Sequence, residues 1–141
     1  MISYAISAAI KSKLFDYIVV STDDTEIASI AKIYGAEIPF IRPKNISDDQ
    51  TATVPVVAHA IEKCNEIYGK ANEVCCIYPG VPFISIDDLS QAHNILTSSG
   101  ANYVFPVAEF PSPIQRALKL KANGEAIPFY SKSVDTRTQD L

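Results

Sequence analysis

A three-layer α/β fold built on a mainly parallel sheet is the architecture this sequence predicts, and three observations carry the prediction. Segments of helical period alternate with short apolar runs along most of the chain. The runs are apolar at successive positions and rich in β-branched residues, as strands covered on both faces are. The length, 141 residues with 48% hydrophobic and 20% charged, suits one domain around a single core, so residues 1–141 are read as one domain.

Residues 1–12 open the chain as a helix, with Ile2, Ala5, Ile6, Ala9 and Ile10 recurring on one face. YIVVS (17–21) follows as a buried strand. A helix feeding a buried parallel strand ordinarily has a strand before it as well, and none precedes residue 1 here. DTEIASIAKIYG is a second helix, with Ile27, Ile30, Ala31 and Tyr34 as its stripe and Gly35 as its stop. EIPFI (37–41) is a short strand, placed near a sheet edge because Pro39 cannot donate to a ladder. After RPKNISDDQTAT comes a helix presenting Val54, Val57, Ala58, Ile61 and Cys64 on one face and ending near Gly69. Pro55 is tolerated because it lies in the first turn. His59, off that stripe, is expected at the surface. EVCCIY (73–78) reads as another buried strand, YPGVPF as a turn, and SIDDLSQAHNILTSSG as a helix with Ile86, Leu89, Ala92, His93 and Leu96 inward. YVFPVAE (103–109) is a further strand. Beyond it the rhythm breaks into a Pro-rich loop, a hairpin around Asn123-Gly124 and a polar tail, SKSVDTRTQDL.

Composition narrows the function classes. A net charge of -4 argues against a general nucleic-acid binder, which carries a basic face. No apolar run approaches the ~20 residues of a membrane helix. The first residues lack the basic region and continuous apolar block of a signal peptide. Cys75 and Cys76 are adjacent in an expected strand and so point to opposite faces. With Cys64 they suit neither a disulfide framework nor a zinc site, and they read as reduced thiols of a cytoplasmic protein.

In folds of this class ligands bind at the carboxyl ends of the strands, so chemistry is sought in the loops that follow them. In STDDTE, Asp23 and Glu26 stand at capping-box spacing; a cap and a ligand role for Asp23 or Asp24 are both open. Arg42, at the end of a strand, suits a phosphate or a base carbonyl. Thr51 and Thr53 lie at or before a helix N-terminus, where hydroxyls and free N–H groups favour an anion or a polar base edge. A solvated arginine and an N-capping threonine explain these positions equally well. Of the acidic pairs Asp23-Asp24, Asp48-Asp49 and Asp87-Asp88, two stand at helix starts, where capping and the helix dipole favour Asp without any metal. Gln115, Arg116, Arg137 and Gln139 could hold a carboxylate and hydroxyls, with a solvated face as the alternative. No Ser/His/Asp or Cys/His arrangement stands out.

Taken in order, these loops carry more than each does alone. AIKSKLFDYIVVSTDDTEIASIAKIYGAEIPFIRPKNISDDQTATVPVVAHAIE resembles the N-terminal half of the acylneuraminate cytidylyltransferases, the CMP-sugar synthetases for nine-carbon acidic sugars. CCIYPGVPFI, ANYVFPVAEFPSPIQRALKL and TRTQDL look most like the branch that acts on pseudaminic acid. The resemblance covers essentially the whole chain. It implies a Rossmann-like nucleotidyltransferase fold, a cytoplasmic homodimer, CTP and an acidic sugar as substrates, and Mg²⁺ as the assisting ion. No nucleic acid or membrane is implied as a partner.

Carried over residue by residue, Arg42 matches the arginine of the family's RP motif, which helps hold the nucleotide, and Thr53 aligns with a hydroxyl residue on the cytosine side. Tyr78 stands where sialic-acid members have a sugar-contacting Gln. Gly80 and Val81 replace a Thr/Ser-type pair. Arg116 and Arg137 align with basic residues of the sugar site and, with Gln115 and Gln139, complete the expected sugar-binding set. Two family features have no counterpart here: the basic, Gly/Ser-containing loop that wraps the CTP phosphates, and the Asp-x-Asp metal site. The chain is therefore expected to be a fold incomplete at both ends, without metal ligands of its own, marginally stable and inactive alone. An N-acetylneuraminate or legionaminate synthetase is the alternative within the enzyme class, and a short non-catalytic paralogue that binds nucleotide or a partner chain is the alternative outside it.

Overall fold

The computed structural model describes residues 1–141 and divides into two compact units, Met1–Val104 and Phe105–Leu141. The first holds four helices: α1 (Ile2–Ser12), α2 (Thr25–Ile33), α3 (Thr53–Tyr68) and α4 (Ile86–Ser99). The second holds β1 (Leu118–Leu120) and β2 (Ala126–Pro128).

The core of the first unit is made of small side chains. Ala5, Ile6, Ala8 and Ala9 of α1, Ala28 and Ala31 of α2, and Ala36 beyond it are buried, Ala31 completely. Ile6, Ala31 and Ala36 form the centre, and Ile2, Ile18, Val20 and Ile38 pack around them. Alanine lets backbones approach closely, and that approach decides which face of a helix is covered. The expected stripes shift accordingly. On α2 the covered face is Ala28 and Ala31, while Ile27, Ile30 and Tyr34 stay exposed; on α1 Ala8 is buried and Ile10 is not. The larger residues of α2 lie at the edge of this buried patch, while Ile6 of α1 fills its centre.

On α3, Val54 and Ala58 are exposed, and the half-buried face runs through Val56, Val57, Ala60, Ile61 and Cys64. His59 turns with it. Its Nδ1 is shut from solvent without a hydrogen bond, and its ring meets Phe40 edge-on at 5.2 Å, so the expectation of a surface histidine is corrected. α4 turns Leu89, Ala92, His93 and Leu96 inward as expected, though Ile86 is exposed; His93 Nε2 lies 2.9 Å from Glu73 Oε2. Helix ends follow their punctuation. Ser85 caps α4 by accepting the N–H groups of Asp87 and Asp88, and Gly35 follows α2 at φ 95°, a backbone that a side chain would strain.

The strands depart furthest from expectation. Parallel pairing is confined to one bridge, Val19 to Glu37, in which Glu37 N–H donates to Ile18 O (2.7 Å) and Val20 N–H to Glu37 O (3.0 Å). Residues 73–78 and 103–109 form no ladder, and Cys75 and Cys76 are exposed rather than buried. The structure is thus mixed helix and strand, and the expected three-layer parallel sheet is not displayed. The reason is physical: an apolar run records a capacity for burial, but a strand exists only where a second segment takes up its N–H and C=O groups.

The second unit is organised by an antiparallel hairpin, as expected around Asn123-Gly124. Leu118 pairs with Pro128, Lys119 with Ile127 and Leu120 with Ala126. Gly124 turns the chain at φ 84°, Asn123 Oδ1 accepts the Glu125 N–H, and Lys121 pairs with Glu125 at 2.9 Å.

Candidate functional site

In the first unit the loop after residues 17–21 and the loop after residues 37–41 are tied together. The Arg42 N–H donates to Thr22 O at 2.9 Å, and Thr22, itself buried, accepts the Asp24 N–H on its hydroxyl. Asp24 is the cap of α2: its Oδ1 accepts from Glu26 N (2.7 Å) and Ile27 N (2.9 Å). The cap therefore lies one residue later than the Asp23–Glu26 spacing suggests, because Thr22 fixes the turn that aims Asp24 at the helix. Asp23 is left to face Arg42, whose Nη2 donates to Asp23 Oδ1 at 3.3 Å. Arg42 Nε donates to Ser47 Oγ at 3.1 Å, and Ser47 donates onward to Pro43 O at 2.9 Å. With its side chain 22% exposed, Arg42 is not a solvated arginine.

The chain then turns into α3 around Asp48. One carboxylate oxygen accepts from Gln50 N, Thr51 N and Thr51 Oγ1. The backbone bond from Gln50, then the two bonds from Thr51, hold this carboxyl below its ordinary range. Thr51 is thereby used in the loop. The N-cap position of α3 is Ala52, so neither Thr51 nor Thr53 caps the helix. Thr53 instead places its hydroxyl 2.6 Å from that of Tyr78. Two residues expected on different halves of a site, 25 positions apart, are brought into direct contact.

In the second unit, Gln115 and Arg116 sit half-buried in a 3₁₀ turn before β1. Arg116 Nη1 donates to Ser133 O (3.4 Å) and Val134 O (3.3 Å), and its Nη2 donates to Thr136 O. Its guanidinium therefore ties residues 133–136 to the turn before the hairpin. Arg137 is 74% exposed and pairs with Asp140 at 2.7 Å; Gln139 lies in the same exposed turn.

Two sets of contacts escaped the sequence. Asp23 and Ser47 flank Arg42 without any local pattern that marks them as its partners, although an acidic residue after a strand and a serine just past the RP turn were visible. The Tyr68 hydroxyl donates to Glu37 Oε2 at 2.5 Å and its ring stacks on Tyr17 at 4.1 Å. That bond, then loss of hydration, pushes the Tyr68 phenol up to about 12. No group of three or more His, Cys, Asp or Glu residues is arranged to hold a metal ion. A shallow groove of about 490 Å³ between α2 and residues 38–41 contains none of the expected site residues.

Comparison with known proteins places these loops. Residues 1–123 match the family described as Cytidylyltransferase. The whole chain is 41% identical to a pseudaminic acid cytidylyltransferase of Campylobacter jejuni serotype O:2 and spans 61% of that protein's length. It is 34% identical over its whole length to 27% of a Helicobacter pylori protein named pseudaminic acid cytidylyltransferase and UDP-2,4-diacetamido-2,4,6-trideoxy-beta-L-altropyranose hydrolase. A CMP-N,N'-diacetyllegionaminic acid synthase of Campylobacter jejuni is 48% identical over 66 residues, 47% of the chain and 28% of that protein. The match runs through the tied loops around Arg42, the start of α3, Tyr78 and the 3₁₀ turn of Arg116, and on its extent this chain belongs to the cytidylyltransferase family.

Proposed function

We propose that the protein transfers a cytidylyl group from CTP to the anomeric hydroxyl of pseudaminic acid, giving the CMP-sugar and pyrophosphate. The sugar oxygen attacks the α-phosphorus, the bond from that phosphorus to the bridging oxygen of pyrophosphate breaks, and the hydroxyl proton passes to solvent water. Such a displacement needs positioning and charge neutralisation more than covalent help. Arg42 is assigned to the nucleotide, with its fork oriented by neighbours, and Thr53 to the same half. Tyr78, Gln115, Arg116, Arg137 and Gln139 are assigned to the sugar. Mg²⁺, which the family's chemistry calls for, would assist by neutralising charge on the phosphates.

The observation that carries the choice of sugar is coverage. The relatives named for pseudaminic acid match the entire chain, whereas those named for diacetyllegionaminic acid match 47% and 79% of it. The same reading takes residues 1–141 as part of one cytidylyltransferase domain of nucleotidyltransferase fold, supported by the parallel bridge from Val19 to Glu37 and by a family match that runs past Val104. It includes a homodimer and a cytoplasmic address, the latter supported by three unpaired cysteines. No helix is long and apolar enough to cross a membrane.

The test is pyrophosphate release with CTP, Mg²⁺ and, in parallel, pseudaminic, legionaminic and N-acetylneuraminic acids, on the full gene product and on the 141-residue chain alone. Release with pseudaminic acid by the full product is expected, and none by the chain alone. Release only with another acid moves the assignment to that sugar. CTP binding without release from any acid would replace the enzyme with a nucleotide-binding protein.

A further inference from the structure

We infer that Asp23 and Ser47 are positioning residues that aim the Arg42 guanidinium at the nucleotide; this rests on the reading of Arg42 as a nucleotide-binding residue. A free arginine side chain has several rotatable bonds and loses their freedom when it grips an anion. Here that freedom is already restricted. Ser47 takes the Nε hydrogen and Asp23 takes one from Nη2, so the plane of the fork is set by two contacts on different elements. Nη1 has no partner in the chain and is the edge left to offer.

The two partners are themselves held. Asp23 lies between Thr22, whose carbonyl receives the Arg42 N–H, and Asp24, which caps α2. Ser47 is fixed by its bond to Pro43 O, one residue after Arg42. Geometry also separates positioning from stabilising. The Asp23 contact is long for a charged pair, 3.3 Å, and Asp23 is 43% exposed. Such pairs add little to folding. What it does is select one orientation of a planar donor set, which matters when that set must meet an anion edge-on.

The experiment is CTP titration by calorimetry on the full gene product, with Asp23→Asn, Ser47→Ala, Ser47→Thr and Arg42→Ala, and the first two repeated in the Arg42→Ala background. Asp23→Asn, which keeps an acceptor but loses the charge, and Ser47→Ala, which loses the acceptor, are each expected to weaken CTP binding about three- to tenfold, the scale of one ordinary hydrogen bond. Ser47→Thr, which keeps the hydroxyl, is expected to stay within about twofold of the parent on the same scale. Once Arg42 is alanine, neither change should weaken binding further, an outcome that a merely structural role would not give. If Arg42→Ala weakens binding but the two neighbours do not, or if their effects persist without Arg42, the positioning inference fails and the nucleotide site stands. Failure of both Asp23→Asn and Ser47→Ala to fold assigns them to the scaffold and overturns it too. If Arg42→Ala binds CTP normally, the reading of Arg42 fails and takes this inference with it.

Discussion

Replacing Ile6 by alanine tests the description of the core most directly. Ile6 is 3% exposed and is the one large side chain at the centre of a cluster otherwise made of Ala31 and Ala36. The change removes three carbons and leaves a cavity. Isoleucine-to-alanine changes in cores cost about 2–5 kcal/mol, the spread reflecting how far the surroundings collapse. Here Ile2, Ile18, Val20 and Ile38 are only half-buried around the site and can relax into it, which places the cost at about 2–3 kcal/mol, the lower part of that range. With a urea slope of about 2 kcal/mol per molar, the midpoint should fall by about 1–1.5 M. Helical circular dichroism is the readout, because all four α-helices belong to the first unit. Ile33→Ala, at a position 80% exposed, is the control and should shift the midpoint by less than about 0.5 kcal/mol equivalent. Equal shifts for the two variants would refute the core assignment.

Three further outcomes follow from contacts already described. Asp24→Ala removes the acceptor of two helix N–H groups and should cost about 1 kcal/mol in urea unfolding, more than Asp23→Ala; the reverse ranking would put the cap back at Asp23. Because the folded state raises the Tyr68 phenol from 10 to about 12, its contribution to stability should be full below pH 10 and fade between pH 10 and 12. Ultraviolet titration should then show one of the seven tyrosines ionising late, a step absent from Tyr68→Phe and from Glu37→Gln; a late step that survives both changes would contradict the assignment. Arg116→Ala should free the carbonyls of residues 133–136 and speed limited proteolysis of the last eleven residues about tenfold, and unchanged cleavage would mean that the guanidinium does not hold them.

The helices were legible because their signals are local. Periodicity, Pro55 in a first turn and Gly35 and Gly69 as stops fix where each runs, and Asn123-Gly124 marks the hairpin. Which face of each helix is covered was less legible. Hydropathy ranks Ile30 above Ala31, yet close approach selects Ala31. The strands were the least legible, since VCCIY has a strand's composition but no segment of the chain pairs with it as one. The site divides in the same way. Arg42, Thr53 and Tyr78 stand out by type and position. The bond between Thr53 and Tyr78, the sharing of Arg42 by Asp23 and Ser47, and the spending of Arg116 on backbone carbonyls depend on the folded chain, and no spacing rule encodes them.

The alanine floor of the first unit has a consequence for how this sequence can drift. At buried alanines the harmful direction of change is growth: valine or leucine at Ala5, Ala9, Ala28 or Ala31 must displace its neighbours, while glycine or serine alters little volume. On the same α2, Ile27, Ile30 and Ile33 stand at the rim and are free to become polar. Substitution there should run opposite to the habit of globular proteins, with the small residues fixed and the large ones interchangeable.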